Sequence, residues 1–323
     1  MILILSRDSD IHAQHVISLL EKRGKESQLF NPALYPLNAT VSVGSTPVGQ
    51  AAHLGWDDHC LNLNDVRAVW TRRPQSAALP YAYPEAEGGW LKEECRMLFR
   101  SLWSNITDAV WVSPPHHIRH ADLKLRQLRI AHELGFTIPP YLVTNQPEEA
   151  RSFLRANPQG VIVKALHRPA IMGERKAATI YTHLINAEDM VHLDSVRYGP
   201  TYFQAFVEKK RDLRITVVGD KIFPVAIESR VAEEAYTDFR RAEVFDMPHE
   251  PVTLPPKLEK ACFDLVKRLG LNFGAIDILE TAKGEFYFLE INPNGQWMWI
   301  EWVTELPIGE AMCDLLLGES YVE

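Results

Sequence analysis

The amino-acid sequence predicts a mixed α/β (α+β) fold in three parts: an open α/β N-terminal domain, a small central domain and a C-terminal domain built on an antiparallel sheet. Three observations carry that expectation. The chain starts with a compact apolar run, Ile2–Leu5, that feeds a segment with Val16, Leu19 and Leu20 at helical spacing, a strand passing into a helix as in an open α/β sheet. The last third instead holds two strand–turn–strand patterns, around Gly219-Asp220 and Lys283-Gly284. With 323 residues, 46% hydrophobic and 24% charged, the chain has the length of two or three folded domains and none of the bias of a disordered one.

Taken in order, His12–Arg23 reads as a helix closed by Gly24. DVRAVWTRRP (65–74) reads as a strand ending in two arginines, and DAVWVSPP (108–115) as a strand stopped by Pro114-Pro115. That diproline marks the first boundary, and the expected domains are 1–115, 116–198 and 199–323. ADLKLRQLRIAHELGF (121–136) is a helix with Leu128, Ala131 and Leu134 inward and Gly135 as its C-terminal cap. A short strand in TIPPYLVT, a helix in PEEARSFLRAN and the strand GVIVKAL follow. From Thr179 the pattern is strand, the acidic helical segment AEDMVHLDSV, and the strand YFQAFVE, with no internal repeat.

A net charge of −8 argues against a surface that binds nucleic-acid phosphates. Cys60, Cys95, Cys262 and Cys313 have neither metal-type spacing nor the density of a disulfide framework, which fits reduced thiols in a cytoplasm. The N-terminal apolar run is too short for a signal peptide and no later run reaches membrane-spanning length. The expectation is a soluble cytoplasmic protein with neither nucleic acid nor membrane as partner. The chain lacks a G-x-G-x-x-G, a P-loop and a G-x-S-x-G, so a dehydrogenase, a Walker-type ATPase and a serine hydrolase all miss their signatures. His116, His117 and His120 in HHIRH lack a carboxylate or cysteine to complete a metal site.

The informative stretch is FLEINPNGQWMWIEW, 288–302, which places Glu290 and Asn292 in an apolar strand. A turn on Lys283-Gly284 would set Asp277 directly opposite Glu290, with Asn292 further along the same face. Two facing carboxylates repel, so with an amide oxygen beside them they call for a cation. Hard oxygen donors favour Mg²⁺ or Mn²⁺ over Zn²⁺, and an incomplete protein set suits a metal shared with nucleotide phosphates. The alternative is a salt-bridged carboxylate or a solvent-facing strand. Lys164, ending the strand VIVK, either snorkels or offers its ammonium to a phosphate. Lys124 sits near a helix start, where an anion is favoured, or is an exposed helix lysine. Arg214 shares a strand face with Thr216 and Val218, or forms a surface ion pair with Asp212.

In this order these residues resemble the ATP-grasp superfamily of carboxylate-amine ligases, over roughly the last two-thirds of the chain, and within it the branch of the ribosomal-protein glutamate ligase. WTRRP at 70–74, DFR at 238–240 and EINPNGQW at 290–297 extend the resemblance over the whole chain to the graspetide synthetases, microviridin-type maturases of ribosomally made peptides. The resemblance implies an ATP-grasp fold with a pre-ATP-grasp domain in front. It implies a metal held by Asp277, Glu290 and Asn292, and nucleotide held by Lys124 and Lys164. Gln204-Ala205-Phe206-Val207 falls on the adenine-side segment, with Ala205 where the family has an acidic residue. Asp212 and Arg214 take ribose and phosphate-end roles, and Arg240 lies on the transferred phosphate. Ala242 replaces the asparagine of the glutamate ligase, a departure from that branch.

The chemistry so implied is phosphorylation of an Asp or Glu side chain of a precursor peptide to an acyl phosphate, steadied by Arg214 and Arg240. A Lys amine or Ser/Thr hydroxyl of the same peptide then closes an ω-amide or ω-ester ring, with water excluded. ATP and Mg²⁺, with Mn²⁺ as the alternative, are the implied cofactors. The implied partners are a precursor peptide with a leader and a second copy of the chain in a homodimer. In the family the leader docks on the small middle domain through an arginine, for which Glu188 and Asp189 are the candidates. Gly295 allows a sharp path near the metal, and Trp297 is expected to wall the site or receive the peptide. Trp299 and Trp302 equally read as core packing. Arg72 and Arg73 either bind substrate carboxylates or anchor a domain interface. The rival functions are an intermolecular ligase that adds an amino acid and a nucleotide-binding module without catalysis.

Overall fold

The computed structural model describes residues 1–46, 49–167, 170–172, 177–231 and 246–319. The chain opens with β1 (Ile2–Ser6), α1 (Ile11–Lys22) and β2 (Ser27–Phe30). Asp10 caps α1, its Oδ1 accepting from the His12 and Ala13 N–H groups at 3.0 and 3.1 Å. A small antiparallel sheet of β3 (Ala39–Thr46), β4 (Gly49–Trp56) and β5 (His59–Asn62) follows, then β6 (Ala68–Arg73), α2 (Glu85–Ser104) and β7 (Val110–Val112). The main N-terminal sheet is parallel, in the order β2-β1-β6-β7. Both of its faces are covered, which is why Ile2–Leu5 is apolar at every position. Leu3, Leu5 and Val69 pack with Phe99, Leu102 and Trp103 of α2, while Ile2, Ile4, Ala68 and Trp70 pack with Val16 and Leu20 of α1.

The expected single helix over 121–136 is broken. α3 (Pro115–Ala121) carries the HHIRH segment, and α4 (Lys124–Glu133) begins at Lys124 after a break at Asp122-Leu123. The helix closes as expected at Gly135, φ +86°. The central sheet is antiparallel, in the order β12-β9-β13-β8. It comprises β8 (Tyr141–Thr144), β9 (Val161–Lys164), β12 (His183–Leu184) and β13 (Thr201–Ala205), with α5 (Pro147–Ala156) against it, while β10 (Ala170–Met172) and β11 (Ala177–Thr179) pair antiparallel as a separate two-stranded sheet. The acidic segment expected to be helical is a 3₁₀ run, Asp189–Tyr198.

The C-terminal sheet has the order β16-β15-β14-β17-β18, all antiparallel: β14 (Arg211–Val218), β15 (Lys221–Ile227), β16 (His249–Pro251), β17 (Phe273–Glu280) and β18 (Phe286–Asn292). α6 (Pro256–Arg268) lies between β16 and β17 in sequence, and α7 (Met298–Thr304) and α8 (Ile308–Leu317) follow β18. One face of this sheet, with Leu213, Ile215, Val217, Ile276, Ile278, Phe288 and Ile291, packs against α4 and α6. The opposite face carries the polar residues of the site. α8 packs on the parallel sheet with α1, so the N- and C-terminal parts share one core.

Register decides which face each residue takes. The β14–β15 hairpin turns on Gly219-Asp220 as expected, with Val218 opposite Lys221. The second hairpin is wider than expected: Glu280 pairs with Phe286, and the loop between them is closed by Thr281 N–H donating to Glu285 O at 2.9 Å. That displaces the pairing by one residue. A β-bulge between Asp277 and Ile278 displaces it back, because Ile278 faces Phe288 while Asp277 faces Glu290, leaving Leu289 unpaired. Asp277 and Glu290 therefore face each other as expected, through two compensating departures from a regular hairpin, and Phe288 and Ile291 both still point into the core.

Candidate active site

The strand-borne carboxylates are each paired with a cation. Arg214 lies opposite Asp277 in the β14–β17 register, and its Nη1 donates to both carboxylate oxygens at 2.8 and 3.0 Å. Its Nη2 donates to Gln296 O at 3.1 Å. Lys124, at the first turn of α4, places its ammonium on Glu290 Oε2. The salt-bridged alternative is thus realised for both carboxylates, and each partner is a residue expected to hold nucleotide phosphates. The set is charge-balanced, which is what a partly buried site requires.

The central sheet approaches Glu290 through Tyr202. Lys164 pairs with Tyr202 across β9 and β13, and its Nζ stands 5.5 Å from the Tyr202 ring centroid. Burial, then the Glu290 carboxylate, push the Tyr202 phenol well above its ordinary range, so the hydroxyl stays protonated beside that carboxylate. Lys164, Tyr202, Glu290 and Lys124 are in this way brought together from two sheets and a helix. Gln204 shares the Tyr202 face; its Nε2 donates to Tyr202 Oη at 3.3 Å, and its buried Oε1 has no hydrogen-bond partner. The N–H groups of Ala205 and Phe206 are taken by Pro140 O and Gly160 O at 2.8 and 2.9 Å, so neither is open to a base; Val207 follows them.

Asp212 is not open to a ribose in this arrangement. Its Oδ2 accepts from Lys209 Nζ at 2.6 Å and from Ser229 Oγ, and all three side chains are buried. It ties the segment entering β14 to the segment leaving β15. Asn292 Oδ1 accepts the Asn294 N–H at 3.1 Å, which orients the amide oxygen expected on the metal. Among the described residues no three His, Cys, Asp or Glu side chains gather as a metal cluster. A cation on this face would be held by two carboxylates and an amide, with the remaining oxygens coming from its ligand.

Several expected residues fall elsewhere. Trp297 does not wall the site: it is completely buried in the core shared by the N- and C-terminal parts, its ring edge-on to His12 with centroids 5.1 Å apart. Trp299 packs against His249, and Trp302 is exposed. Arg72 does not meet substrate either. It is 1% exposed and donates to Asn294 O and Gly295 O at 2.7 and 3.1 Å, the interface-anchoring alternative. Arg73, the next residue on the strand, points outward and lies 4.0 Å from Asp10. Asp189, half-buried at the start of the 3₁₀ run, accepts from His183 Nε2 and the Asn186 N–H, and the Glu188 N–H donates to Asn186 Oδ1. Arg240, with Asp238, Phe239 and Ala242, lies outside the described residues.

Sequence reasoning missed Asp10, His12, Asn294, Lys209 and Ser229, which hold the site residues rather than belong to it. At Gly295 the chain does turn sharply, its N–H donating to Asn292 O at 3.3 Å, and close packing adds a second requirement for glycine. A Cβ there would stand 2.5 Å from Ala275 Cβ and 2.8 Å from Arg214 Nη2, so the turn passes too close to the sheet for any side chain.

Comparison with known proteins agrees with this geometry. Residues 1–119 match the family model of the MvdD pre-ATP grasp domain, and residues 122–316 that of the RimK-like ATP-grasp domain. The chain is similar to a RiPP-associated ATP-grasp ligase of Chryseobacterium gregarium, solved with ADP and a leader and core peptide, at 30% identity and a TM-score of 0.91 over 99% of this chain and 97% of that one. It is similar to macrocyclase MdnC of Microcystis aeruginosa, solved with precursor peptide MdnA, at 30% identity and a TM-score of 0.87 over 99% of both chains. It is 26% identical over 196 residues to a probable alpha-L-glutamate ligase 2 of Shewanella amazonensis; the match spans 60% of this chain and 62% of that protein, less than two-thirds of its length. The chain belongs to the RimK-like ATP-grasp family of ligases.

Proposed function

We propose that this protein is an ATP-dependent peptide macrocyclase. It would phosphorylate Asp or Glu side chains of a ribosomally made precursor peptide and join them, as ω-esters or ω-amides, to Ser/Thr hydroxyls or Lys amines of the same peptide. The observation that carries this reading is the end-to-end likeness, at 30% identity, to two ligases solved with their peptides, together with a site that carries both halves of a metal–phosphate recognition set. The donor chemistry fits Mg²⁺ and ATP: hard oxygens on one strand face, cations within reach of them, and the buried Arg214 Nε, Thr216 Oγ1 and Gln204 Oε1 without partners. Bound there, Mg²⁺·ATP would supply the phosphoryl group and neutralise its developing charge, with Mn²⁺ as the alternative ion.

The chain's own residues then have defined tasks. Asp277, Glu290 and the Asn292 amide would turn to the metal, releasing Arg214 and Lys124 to the phosphates, with Lys164 as the third cation. Arg240 would steady the transferred phosphoryl group as a substrate carboxylate takes it up. Attack of the peptide hydroxyl or amine on the acyl phosphate carbonyl forms the ester or amide bond, loses the nucleophile's proton and expels phosphate. Gln204, Phe206 and Val207 line the base side. Glu188 and Asp189 remain the proposed receivers of a leader arginine, on domains divided at 1–115, 116–198 and 199–323. The working form would be a cytoplasmic homodimer; among the described residues no helix is long and apolar enough to cross a membrane.

The test is the intact mass of a precursor peptide, taken first from the neighbourhood of the gene, after incubation with protein, ATP and Mg²⁺. Loss of one water per bond, absent with Asp277→Ala or Arg240→Ala, is the expected result. A mass gain of one amino-acid residue would replace this reading with that of an intermolecular ligase, the second reading supported by the glutamate-ligase relative. Nucleotide binding without any mass change on the peptide set would favour the non-catalytic module.

A further inference from the structure

The segment that follows the metal-donor strand, Asn292–Met298, is held at both ends by side chains of the N-terminal part, one from β6 and one from α1, neither of which carries an expected metal or nucleotide ligand. At one end Arg72, wholly buried at the end of β6, donates to the carbonyls of Asn294 and Gly295, and Asn294 Nδ2 donates back to Arg72 O at 2.8 Å. Asn294 is the residue whose N–H orients Asn292 Oδ1. At the other end His12, in the first turn of α1, accepts the Trp297 and Met298 N–H groups on Nε2 at 3.2 and 3.3 Å. Those are N–H groups at the start of α7, which has no side-chain cap of its own. Asp10 stands between the two anchors, its Oδ1 3.6 Å from His12 Nδ1 and 3.5 Å from Arg72 Nε.

We propose that His12 and Arg72 are positioning residues for the metal site, fixing the segment after β18 so that Asn292 and Glu290 present their oxygens in one arrangement. This rests on the Mg²⁺-nucleotide reading of the site given above. Groups that orient a metal's ligands govern its affinity without touching it. His12 serves only as a neutral ring with its proton on Nδ1, and burial and the neighbouring Arg72 charge keep it neutral, its pKa lowered to about 3. A lysine at position 72 would retain the charge but not the planar fork that spans two carbonyls.

The experiment is calorimetric titration of ADP into the full-length protein at stepped Mg²⁺ concentrations and in chelator, with wild type, His12→Ala, His12→Gln, Arg72→Met and Arg72→Lys. The expected result is a rise of about tenfold in the Mg²⁺ concentration that half-maximally tightens ADP binding for His12→Ala and Arg72→Met, with the affinity in chelator unchanged. His12→Gln, which keeps an acceptor near the Nε2 position, should recover most of the loss. Arg72→Lys should fall between wild type and Arg72→Met and serves where Arg72→Met does not fold. Equal loss with and without Mg²⁺, or a Mg²⁺ dependence unchanged despite lower melting temperatures, would overturn the proposal and leave a purely structural role. A wild-type protein whose ADP affinity ignores Mg²⁺ would instead overturn the reading of the site itself, and this inference with it.

Discussion

Replacing Gly295 with alanine isolates one contact in the site. The added Cβ would stand 2.5 Å from Ala275 Cβ, 2.8 Å from Arg214 Nη2 and 3.4 Å from Asn292 Cβ. Carbon atoms pack best at about 3.5–4.0 Å, so the first distance falls short by about 1 Å or more. Arg214 Nη2 can give only by leaving Gln296 O, and Ala275 cannot give at all: it is fully buried in β17, paired with Thr216 on one side and Asn292 on the other. The loop must lift instead, and Arg214 loses Gln296 O. Overpacking of this kind costs about 1–3 kcal/mol. Ala275→Gly alone removes the obstruction at a backbone cost of about 0.5–1 kcal/mol. The double variant should then be less destabilised than the sum of the two singles, by about 1–2 kcal/mol. Urea denaturation of the four proteins, with slopes compared for constancy, measures this directly. Additive singles would refute the argument, because they would mean that the new methyl group is accommodated without meeting Ala275.

Three other outcomes follow from the same geometry. Arg214→Met strands the Asp277 carboxylate in a site where it is 15% exposed, and should cost about 3–5 kcal/mol in urea, with Mg²⁺ restoring part of the loss and Arg214→Met/Asp277→Leu most of it. As pH falls, the unfolded chain takes up a proton at His12 near the ordinary value of 6.5, while the folded chain resists until about 3. Stability contributed by this group is therefore complete above pH 6.5 and declines between 6.5 and about 3, by up to about 4–5 kcal/mol, and His12→Gln should flatten the pH dependence of the urea midpoint across that window. Asp212→Asn leaves the buried Lys209 ammonium without its carboxylate; melting temperature should fall by several degrees, and Lys209→Met in the same chain should return most of it.

Much of the architecture was legible because periodicity and burial agree. Ile2–Leu5 is apolar at every position since both faces of its sheet are covered, and Glu290 and Asn292 stand out because the opposite face of their strand is core. β3–β5 were not legible: stretches such as ATVSVGST and GQAAHLGW offer small residues and few large apolar ones, so the strand pattern is weak. α2 and α6 were not read from the pattern either, and α4 was read as too long because nothing local in Ala121–Lys124 announces the break. Trp297 was misplaced because it follows site residues in the chain, whereas the turn through Gly295 sends it into the core. Arg72 and Arg73 divide by strand alternation, one buried and one outward, so the anchoring reading holds for Arg72 and a single reading for the pair could not hold. The hairpin register came out right only because the wider turn and the bulge displace it in opposite directions, and neither has a signature in the residues concerned.

What no local pattern carries is the pairing of charges. Glu290 meets a lysine 166 positions earlier, and Asp277 an arginine 63 positions earlier on a neighbouring strand. These pairings explain how carboxylates survive in an apolar strand, and they also set the terms for ligand binding. Nucleotide alone would have to draw Lys124 and Arg214 off their carboxylates, leaving Asp277 and Glu290 facing each other without a counter-charge, which is costly in a partly buried site. Metal alone would have to displace the same two cations and leave them without an anion. Only metal and phosphate together exchange every partner for an equivalent one. On the proposed reading of the site, the ion pairs that hold these strands would couple the two ligands, and the coupling would be reciprocal: ADP should raise the affinity for Mg²⁺ by the same factor that Mg²⁺ raises the affinity for ADP. Removing one pair with Lys124→Met/Glu290→Leu should reduce that factor toward unity more than it weakens ADP binding in chelator, a difference that calorimetry at two Mg²⁺ concentrations resolves. An undiminished factor in the double variant would show that the pairs hold the fold without linking the ligands.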